Sequence, residues 1–293
     1  MRNVVVMSGK GGTGKTTITA TLASCADTPL VVADCDVDAA NLHLLLRPEN
    51  DREQRFMAGA VPSFDSRGCS LCGICVSACV YHAITLRHGQ YQVDMASCEG
   101  CGVCANICQD HLITMTPRMT GYTYEGRSRF HQPMVHARLC IGQENSGKLV
   151  TRVRQLATET ALATGIDTVL VDGPPGLGCP AIAAMTGADM LLFVAEAGAA
   201  GAHDLARLLD LRRRFGIPAA CVINKADLDD VSRADIRTRC ACEGIPVIAE
   251  FPWSPVFPES LRQGRTVAEI GDTGMENVFR EMWTVLRKNG AVA

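Results

Sequence analysis

The sequence predicts an α/β fold, a doubly wound and mostly parallel sheet, with a small cysteine-rich α+β module inserted into it. Two observations support this prediction. Short apolar segments alternate with helix-forming segments along most of the 293 residues, which is typical of a parallel sheet covered by helices. The alternation stops between about residues 61 and 118, where eight cysteines occur at regular spacings. We therefore expect residues 1–60 and 119–293 to form one domain and residues 61–118 to form the insert.

The predicted elements follow this alternation in order. Strands are expected at residues 3–7, 30–33, 168–171, 190–195 and 219–223, and helices at residues 16–25, 203–215 and 275–288. Three of the strands end at a polar residue, namely Asp34, Asp172 and Asn224. Between about residues 50 and 64 the pattern loosens and no element is predicted.

The insert contains two copies of one short unit. Residues 69–85 align with residues 98–114 at an offset of 29 residues, and the match includes the cysteine spacing and a following His-x-Ile-Thr sequence. A repeat with matching loops indicates two copies of one small structural unit.

The bulk composition excludes several classes of protein. The formal net charge is only −3 and aromatic residues make up 5% of the chain, which argues against a nucleic-acid-binding or anionic-membrane surface. Met1 leads directly into an apolar strand rather than a signal peptide, and no apolar stretch reaches transmembrane length. Fifteen cysteines in such a chain indicate reduced, partly metal-binding thiols rather than disulfides. We therefore expect a cytoplasmic protein.

A glycine-rich loop follows the first predicted strand and precedes the first predicted helix. Residues 9–16 fit the Walker A pattern G-x-x-x-x-G-K-T. In such a loop the backbone N–H groups surround phosphate oxygens, Lys15 reaches the β- and γ-phosphates, and the Thr16 hydroxyl is a ligand for Mg²⁺. The expected phosphate-binding residues are Gly9, Lys10, Gly11, Gly12, Thr13, Gly14, Lys15, Thr16 and Thr17.

Each copy of the repeat carries four cysteines with the spacing C-x2-C-x2-C-x3-C. This is the spacing of bacterial two-cluster ferredoxins, in which the fourth cysteine of each run is a ligand of the other cluster. We therefore expect two [4Fe-4S] clusters. One is assigned to Cys69, Cys72, Cys75 and Cys108, and the other to Cys98, Cys101, Cys104 and Cys79. Zinc is the alternative metal, although zinc sites usually comprise two separated C-x2-C pairs. Bacterial ferredoxins usually have proline after the fourth cysteine, whereas Val80 and Gln109 follow it here.

Several motifs together resemble those of the MinD/ParA/Mrp-type ATPases, which belong to the SIMIBI class of P-loop proteins. Lys10 adds the second lysine of their deviant Walker A loop. Residues 34–36 resemble their Asp-x-Asp switch, residues 168–176 their Walker B strand and second switch, and residues 224–227 their base-recognition stretch. Residues 145–150 resemble a segment of members that carry ferredoxin inserts. The match covers nearly the whole chain.

The resemblance implies an ATPase that binds ATP or ADP with Mg²⁺ and forms a nucleotide-sandwich homodimer. Lys10 would reach the phosphates of the partner subunit. Asp36 would position the attacking water, and Asp172 would hold Mg²⁺ through water, alongside Thr16. Phosphoryl transfer needs placement and charge neutralisation above all, so Lys10, Lys15 and Asp36 are the expected catalytic residues. Asn224 would complete the ATP site.

Two further cysteines are candidate ligands of an additional metal at the dimer interface. Cys179 lies seven residues after Asp172, and the nitrogenase iron protein, a relative on this fold, has a cluster cysteine in a similar place. Cys140 would be the second ligand, although ordinary thiols are the simpler expectation. Cys240 and Cys242 are expected to be structural.

The last predicted helix carries an apolar stripe. MinD binds membranes through such a helix, but Glu276 and Glu281 favour docking onto the sheet here. Neither a membrane nor a nucleic acid is therefore expected among the partners.

These features lead to one main functional hypothesis and two alternatives. The main hypothesis is an ATP-dependent dimer coupled to electron transfer, or to the maturation of a metal or iron–sulfur centre in a client or redox partner protein. The first alternative is an ATP-driven spatial organiser that positions cargo or the division site and uses the insert as a redox sensor. The second is an amidotransferase-type synthase, but no glutaminase domain with its cysteine and histidine is recognisable.

Overall fold

A computed structural model describes residues 1–143, 146–271 and 273–288 and divides them into two compact units. Unit 1 contains residues 1–54, 123–138 and the described residues from 146 onwards, and unit 2 contains residues 55–122 and 139–143. The cysteine-rich unit thus starts earlier and ends later than the predicted insert, and it includes a short second segment. Asn145, the first residue of the segment 145–150 that resembles ferredoxin-carrying members, lies outside the described residues.

Strands and helices alternate along most of the described chain, and the two units share them. The strands are β1 (Arg2–Ser8), β2 (Val31–Asp34), β3 (Glu49–Phe64), β4 (Ile84–Arg87), β5 (Gln90–Val93), β6 (Ile113–Arg127), β7 (Pro133–Leu139), β8 (Thr168–Pro175), β9 (Met190–Glu196), β10 (Ala219–Asn224) and β11 (Val247–Phe251). The helices are α1 (Lys15–Cys25), α2 (Leu42–Leu46), α3 (Ile74–Ser77), α4 (Val103–Ile107), α5 (Ser146–Thr164), α6 (Cys179–Met185), α7 (Ala199–Phe215), α8 (Asp230–Cys242), α9 (Val256–Gln263), α10 (Val267–Ile270) and α11 (Thr273–Arg287).

Nine of the described strands form one sheet in the order β11-β10-β9-β1-β8-β2-β7-β6-β3. The strand β1 pairs in parallel with β8 and β9, β2 with β8 and β7, and β10 with β9 and β11. Parallel neighbours need crossover connections, which the intervening helices supply. The predicted α/β fold with a mostly parallel sheet is therefore confirmed.

The core of unit 1 lies between this sheet and its helices. The central strand β1 is fully buried from Val4 to Met7. Strands that are covered on both faces need continuous apolar runs, which explains the Val-rich sequence of β1.

The C-terminal helix α11 is part of this core. Its apolar face buries Phe279, Met282, Trp283 and Leu286 against the same cluster as β1 and α1. The stripe seen in the sequence is therefore occupied by packing within unit 1. Among the described residues, no helix combines the length and the apolar composition that a membrane-spanning segment needs.

The two copies of the repeat in unit 2 share backbone conformations as well as sequence. The helices α3 and α4 follow Gly73 and Gly102, and both glycines have φ of +77°. His82 and His111, at equivalent positions, both have φ of +51°. Glycine adopts this left-handed region without strain, which explains a glycine at the start of each helix. Between the two copies, β4 and β5 form an antiparallel hairpin.

Candidate functional site

The glycine-rich loop joins β1 to α1 within unit 1. Gly14, the last residue before α1, has φ of +92°, and a Cβ there would lie 2.5 Å from the Nδ2 atom of Asn224. Only glycine fits this position. A cavity of about 240 Å³ is lined by residues 11–17 together with Asp36 and Asn41. The structure thus brings most of the predicted phosphate-binding residues and Asp36 to one cavity.

Asp172 is the centre of a buried network beside this cavity. Lys15 Nζ lies 2.8 Å from Asp172 Oδ1, and the Thr16 hydroxyl donates to Asp172 Oδ2 at 2.7 Å. Thr19, one turn further along α1, also donates to Asp172, at 2.9 Å. Burial opposes the charge of Lys15, but Asp172 and Asp36 outweigh it, so the pKa of Lys15 is raised. The predicted Mg²⁺ ligands Thr16 and Asp172 are therefore direct neighbours.

The two acidic residues after β2 have different surroundings. The Asp34 carboxylate is fully buried and accepts the backbone N–H groups of Asp36 and Leu42 at 3.1 and 3.3 Å, so it fixes the loop between β2 and α2. Asp36 lines the cavity, with Oδ2 lying 3.8 Å from Lys15 Nζ. Burial raises the pKa of Asp36, although Lys15 opposes the shift. The geometry thus leaves Asp36, rather than Asp34, at the cavity.

Lys10 lies at the start of the loop and pairs with a residue that the sequence motifs did not indicate. Its Nζ lies 3.4 Å from Glu196 Oε1, and Lys225 Nζ lies 2.8 Å from Glu196 Oε2. Partial burial opposes ionisation of Glu196, but Lys225 and Lys10 prevail and lower its pKa. Glu196 ends β9, which is adjacent to β1. Open α/β sheets bind ligands at the carboxyl ends of their parallel strands. The position of Glu196 directly after the strand predicted at residues 190–195 could therefore have indicated it from the sequence.

The predicted base-recognition stretch begins beside the loop. Asn224 is buried and its Nδ2 donates to the Thr13 carbonyl at 2.8 Å, which joins the end of β10 to the loop. Asp227 accepts the backbone N–H of Trp253 at 2.5 Å. The hydrogen bond from Asn224 to the Thr13 carbonyl therefore fixes the loop to the end of β10.

Unit 2 contains two cavities that divide the eight cysteines between them. The first cysteine cavity, of about 200 Å³, is lined by Cys69, Cys72, Cys75 and Cys108. The second cysteine cavity, of about 220 Å³, is lined by Cys79, Cys98, Cys101 and Cys104. Each cavity contains three cysteines of one run and the fourth cysteine of the other run. This is the crosswise grouping expected from the spacing.

The donor set of each cavity fits an iron–sulfur cluster, because four soft thiolates are its usual ligands. However, within the residues that the structure describes, no group of three or more His, Cys, Asp or Glu side chains is arranged so that it could hold a metal ion. The structure therefore brings each set of cysteines to one cavity without forming a metal centre, and the clusters stay a prediction.

The remaining candidate cysteines differ in exposure. Cys179 is exposed at the start of α6 in unit 1, whereas Cys140 is half-buried and belongs to unit 2. Their proposed metal therefore stays a prediction. Cys240 is buried in α8, whereas Cys242 is exposed.

Comparison with known proteins agrees with the geometry of unit 1. Residues 4–267 match the family model of the CobQ/CobB/MinD/ParA nucleotide binding domain. The uncharacterized protein MJ0578 of Methanocaldococcus jannaschii is 32% identical over 231 residues, which cover 78% of this chain and 80% of that protein.

Two solved structures show the same fold. The septum site-determining protein MinD from Pyrococcus horikoshii, complexed with Mg-ADP, has a TM-score of 0.56 and 17% identity and covers 99% of this chain and 98% of its own. A chain of the MinC:MinD cell division protein complex from Aquifex aeolicus has a TM-score of 0.58 and 15% identity, with coverages of 98% and 96%. The family model spans most of the chain, and the loop contacts Asp172 through Lys15 and Asn224 through Thr13. This chain belongs to the CobQ/CobB/MinD/ParA family of nucleotide-binding ATPase domains.

Proposed function

We propose that this chain is a Mg²⁺-dependent ATPase whose nucleotide-bound homodimer acts together with two [4Fe-4S] clusters in unit 2. The ATP cycle would control electron transfer to a client protein or the maturation of a metal or iron–sulfur centre in it. The observation that carries the proposal is the presence, in one chain, of an ordered phosphate loop and two cavities with four cysteines each.

The residues of unit 1 suit phosphoryl transfer from ATP to water. When bound, Mg²⁺ neutralises charge on the β- and γ-phosphate oxygens, and Thr16 and Asp172 are the residues that would hold it. Lys15 would bind the same phosphates. Its short distance to Asp172 keeps its ammonium group charged and close to the cavity before ATP enters. Asp36 would accept a hydrogen bond from the attacking water and orient it in line.

The surroundings of Lys10 suit a contact across a dimer. Its side chain is 34% exposed, and among the described residues its ion pair is with Glu196 at 3.4 Å, so it can exchange this partner for a phosphate of the other subunit. Glu196 would keep its second cation, Lys225, after the exchange. ATP binding would thus favour the dimer, and loss of the γ-phosphate would release Lys10.

The cysteine sets would hold the two clusters in the crosswise assignment. When bound, each [4Fe-4S] cluster accepts or releases one electron. Cys72 and Cys101, the exposed member of each set, place one edge of each cavity at the surface of unit 2, where a redox partner protein could approach.

Three measurements on protein reconstituted anaerobically with iron and sulfide test the proposal. We expect about eight irons and eight sulfides per chain, Mg²⁺-dependent ATP hydrolysis, and a doubling of mass by light scattering with a non-hydrolysable ATP analogue. Lys10→Ala should hydrolyse little ATP and remain monomeric while keeping its iron. Cys72→Ser should lose iron while keeping its ATP affinity.

Coupling between the two parts is tested separately. We expect ATP turnover to differ between dithionite-reduced and oxidised protein. Equal turnover in the two states would overturn the coupling, and absence of iron would overturn the cluster assignment. Neither result would affect the ATPase proposal, which fails only if Mg²⁺ and ATP give no hydrolysis.

A further inference from the structure

The walls of the two cysteine cavities differ although their cysteines repeat. The first cavity includes polar side chains such as Ser70 and Gln90, together with the phenol group of Tyr91 on the strand β5. The second is lined beside its cysteines mainly by apolar side chains, including Pro62, Val80, Ile84, Val103 and Met115. Because hydrogen bonds and solvent access tune iron–sulfur clusters, two clusters bound here would have unequal surroundings.

Tyr91 is fixed from several sides. Its ring lies 5.9 Å from the ring of Phe64 at a tilt of 43°, and it packs against the small core formed by Cys75, Ile84 and Ile113. Its hydroxyl accepts the backbone N–H of Gly73 at 3.0 Å. The hydroxyl is therefore held in the wall of the first cavity, beside the loop that carries Cys72 and Cys75.

The Tyr91 hydroxyl still has a proton to donate. A phenol has one O–H donor and can also accept, and Gly73 uses its acceptor side. Cys69, Cys72, Cys75 and Cys108 line the same cavity as this hydroxyl.

The second copy of the repeat lacks this arrangement. Gly102 is the counterpart of Gly73 and has the same φ of +77°. The residue equivalent to Tyr91 is Thr120, and within the described ranges its buried hydroxyl has no hydrogen-bond partner, so it does not accept the Gly102 N–H group. Tyr81 does line the second cavity, but its side chain is about half exposed.

We infer that the Tyr91 hydroxyl donates a hydrogen bond to a sulfur of the cluster in the first cysteine cavity and raises its reduction potential above that of the second cluster. The inference rests on the proposed function, which supplies the clusters. Reduction adds one negative charge to a cluster, and a hydrogen-bond donor stabilises the more negative state more strongly. An electron delivered to unit 2 would therefore come to rest in the first cavity.

Two carboxylates near the first cavity would lower the reduction potential of its cluster, which opposes the effect of Tyr91. Each of them already has a hydrogen-bond donor as a partner. Asp65 pairs with Arg67 at 3.2 Å, and Asp110 accepts the Ser70 hydroxyl at 3.1 Å. Both carboxylates are exposed, so water and salt screen them, whereas the Tyr91 hydroxyl is fixed in the cavity wall by the Gly73 N–H group.

The test is a potentiometric titration of the anaerobically reconstituted protein with dithionite, followed by electron paramagnetic resonance. We expect two separate one-electron steps in the wild type. Tyr91→Phe keeps the ring and removes the hydroxyl, so it should lower the higher of the two midpoint potentials and leave the lower one in place. Tyr81→Phe removes a hydroxyl from the second cavity wall and is the matched control, expected to move neither step.

The outcomes separate the inference from the proposed function. Iron and sulfide are counted for each protein before titration. A full iron count with unmoved potentials in Tyr91→Phe overturns the role of Tyr91 alone, and so does a shift of the lower step instead of the higher one. A wild type without iron overturns the clusters and the inference together.

Discussion

The two loop lysines should differ in what their removal does to the folded protein without nucleotide. Lys15 is buried, with its side chain 5% exposed, and it is paired with Asp172 at 2.8 Å and Asp36 at 3.8 Å. Asp34 is buried beside them. Lys15→Met therefore removes the cation that pairs with this cluster of carboxylates, whereas Lys10→Met removes a partly exposed side chain that pairs with Glu196.

The expected magnitudes are well separated. Breaking a buried ion pair by removing one partner costs about 3–5 kcal/mol, because an uncompensated charge stays buried. The pair of Lys10 with Glu196 is partly exposed on both sides and is screened by solvent, so its loss costs less than about 1 kcal/mol. With ordinary denaturant slopes, Lys15→Met should lower the urea midpoint by roughly 1–2 M, and Lys10→Met by a few tenths at most.

The loss in the free energy of unfolding caused by Lys15→Met should also depend on pH. Burial, together with the neighbouring Asp172, raises the pKa of Asp34 well above its usual range. The folded state then binds this proton more readily than the unfolded chain, so its protonation favours folding as the pH falls. Without Lys15 this effect should strengthen, and the difference from wild type should shrink between pH 7.5 and 5.5.

The assay is urea unfolding followed by tryptophan fluorescence. Both tryptophans of the chain, Trp253 and Trp283, lie in unit 1, so the signal reports on the correct part of the protein. Equal midpoints for Lys15→Met and Lys10→Met, or a deficit that does not change with pH, would refute this reasoning.

Three other changes test separate parts of the structure. Burial lowers the pKa of His136 to about 4, so between pH 6.5 and 4 only the unfolded chain binds its proton. The free energy of unfolding, measured by thermal unfolding, should therefore fall by up to ~3 kcal/mol as the pH drops through this range. His136→Phe should flatten this dependence. Gly14→Ala should abolish ATP binding in equilibrium dialysis, because its Cβ would lie 2.5 Å from Asn224 Nδ2 at φ of +92°. Gly11→Ala, with no atom within 4 Å of the added Cβ, should lose far less ATP affinity. Gly100→Ala should lose about four of eight irons, because its Cβ would collide with a backbone carbonyl of β3 and displace the loop that carries the second cysteine run.

Local patterns could indicate the strand, glycine-rich loop and helix at the edge of the sheet, because short segments set the geometry there. A buried apolar strand, a glycine loop and a helix must succeed one another for the loop to exist, and all three can be identified in the sequence. Glu196 could not be assigned in this way, because its role depends on the pairing of β9 with β1, which joins residues nearly 190 positions apart. The strand β3 was missed because Asp51, Arg52 and Glu53 are exposed there and carry no apolar alternation.

The cysteine repeat shows where such local prediction reaches its limit. The repeated sequence determines two similar backbones, with matched glycine and histidine conformations, so each run was correctly expected to form the same small unit. The two copies lead into different segments of chain. After the first copy, a turn at His88 and Gly89 returns the chain as β5 and brings Tyr91 to its cavity. After the second copy, the chain continues as β6, and the position equivalent to Tyr91 is the buried Thr120. The repeated cysteines would supply the ligands for two clusters. The segments outside the repeat would determine which of the two clusters holds the electron.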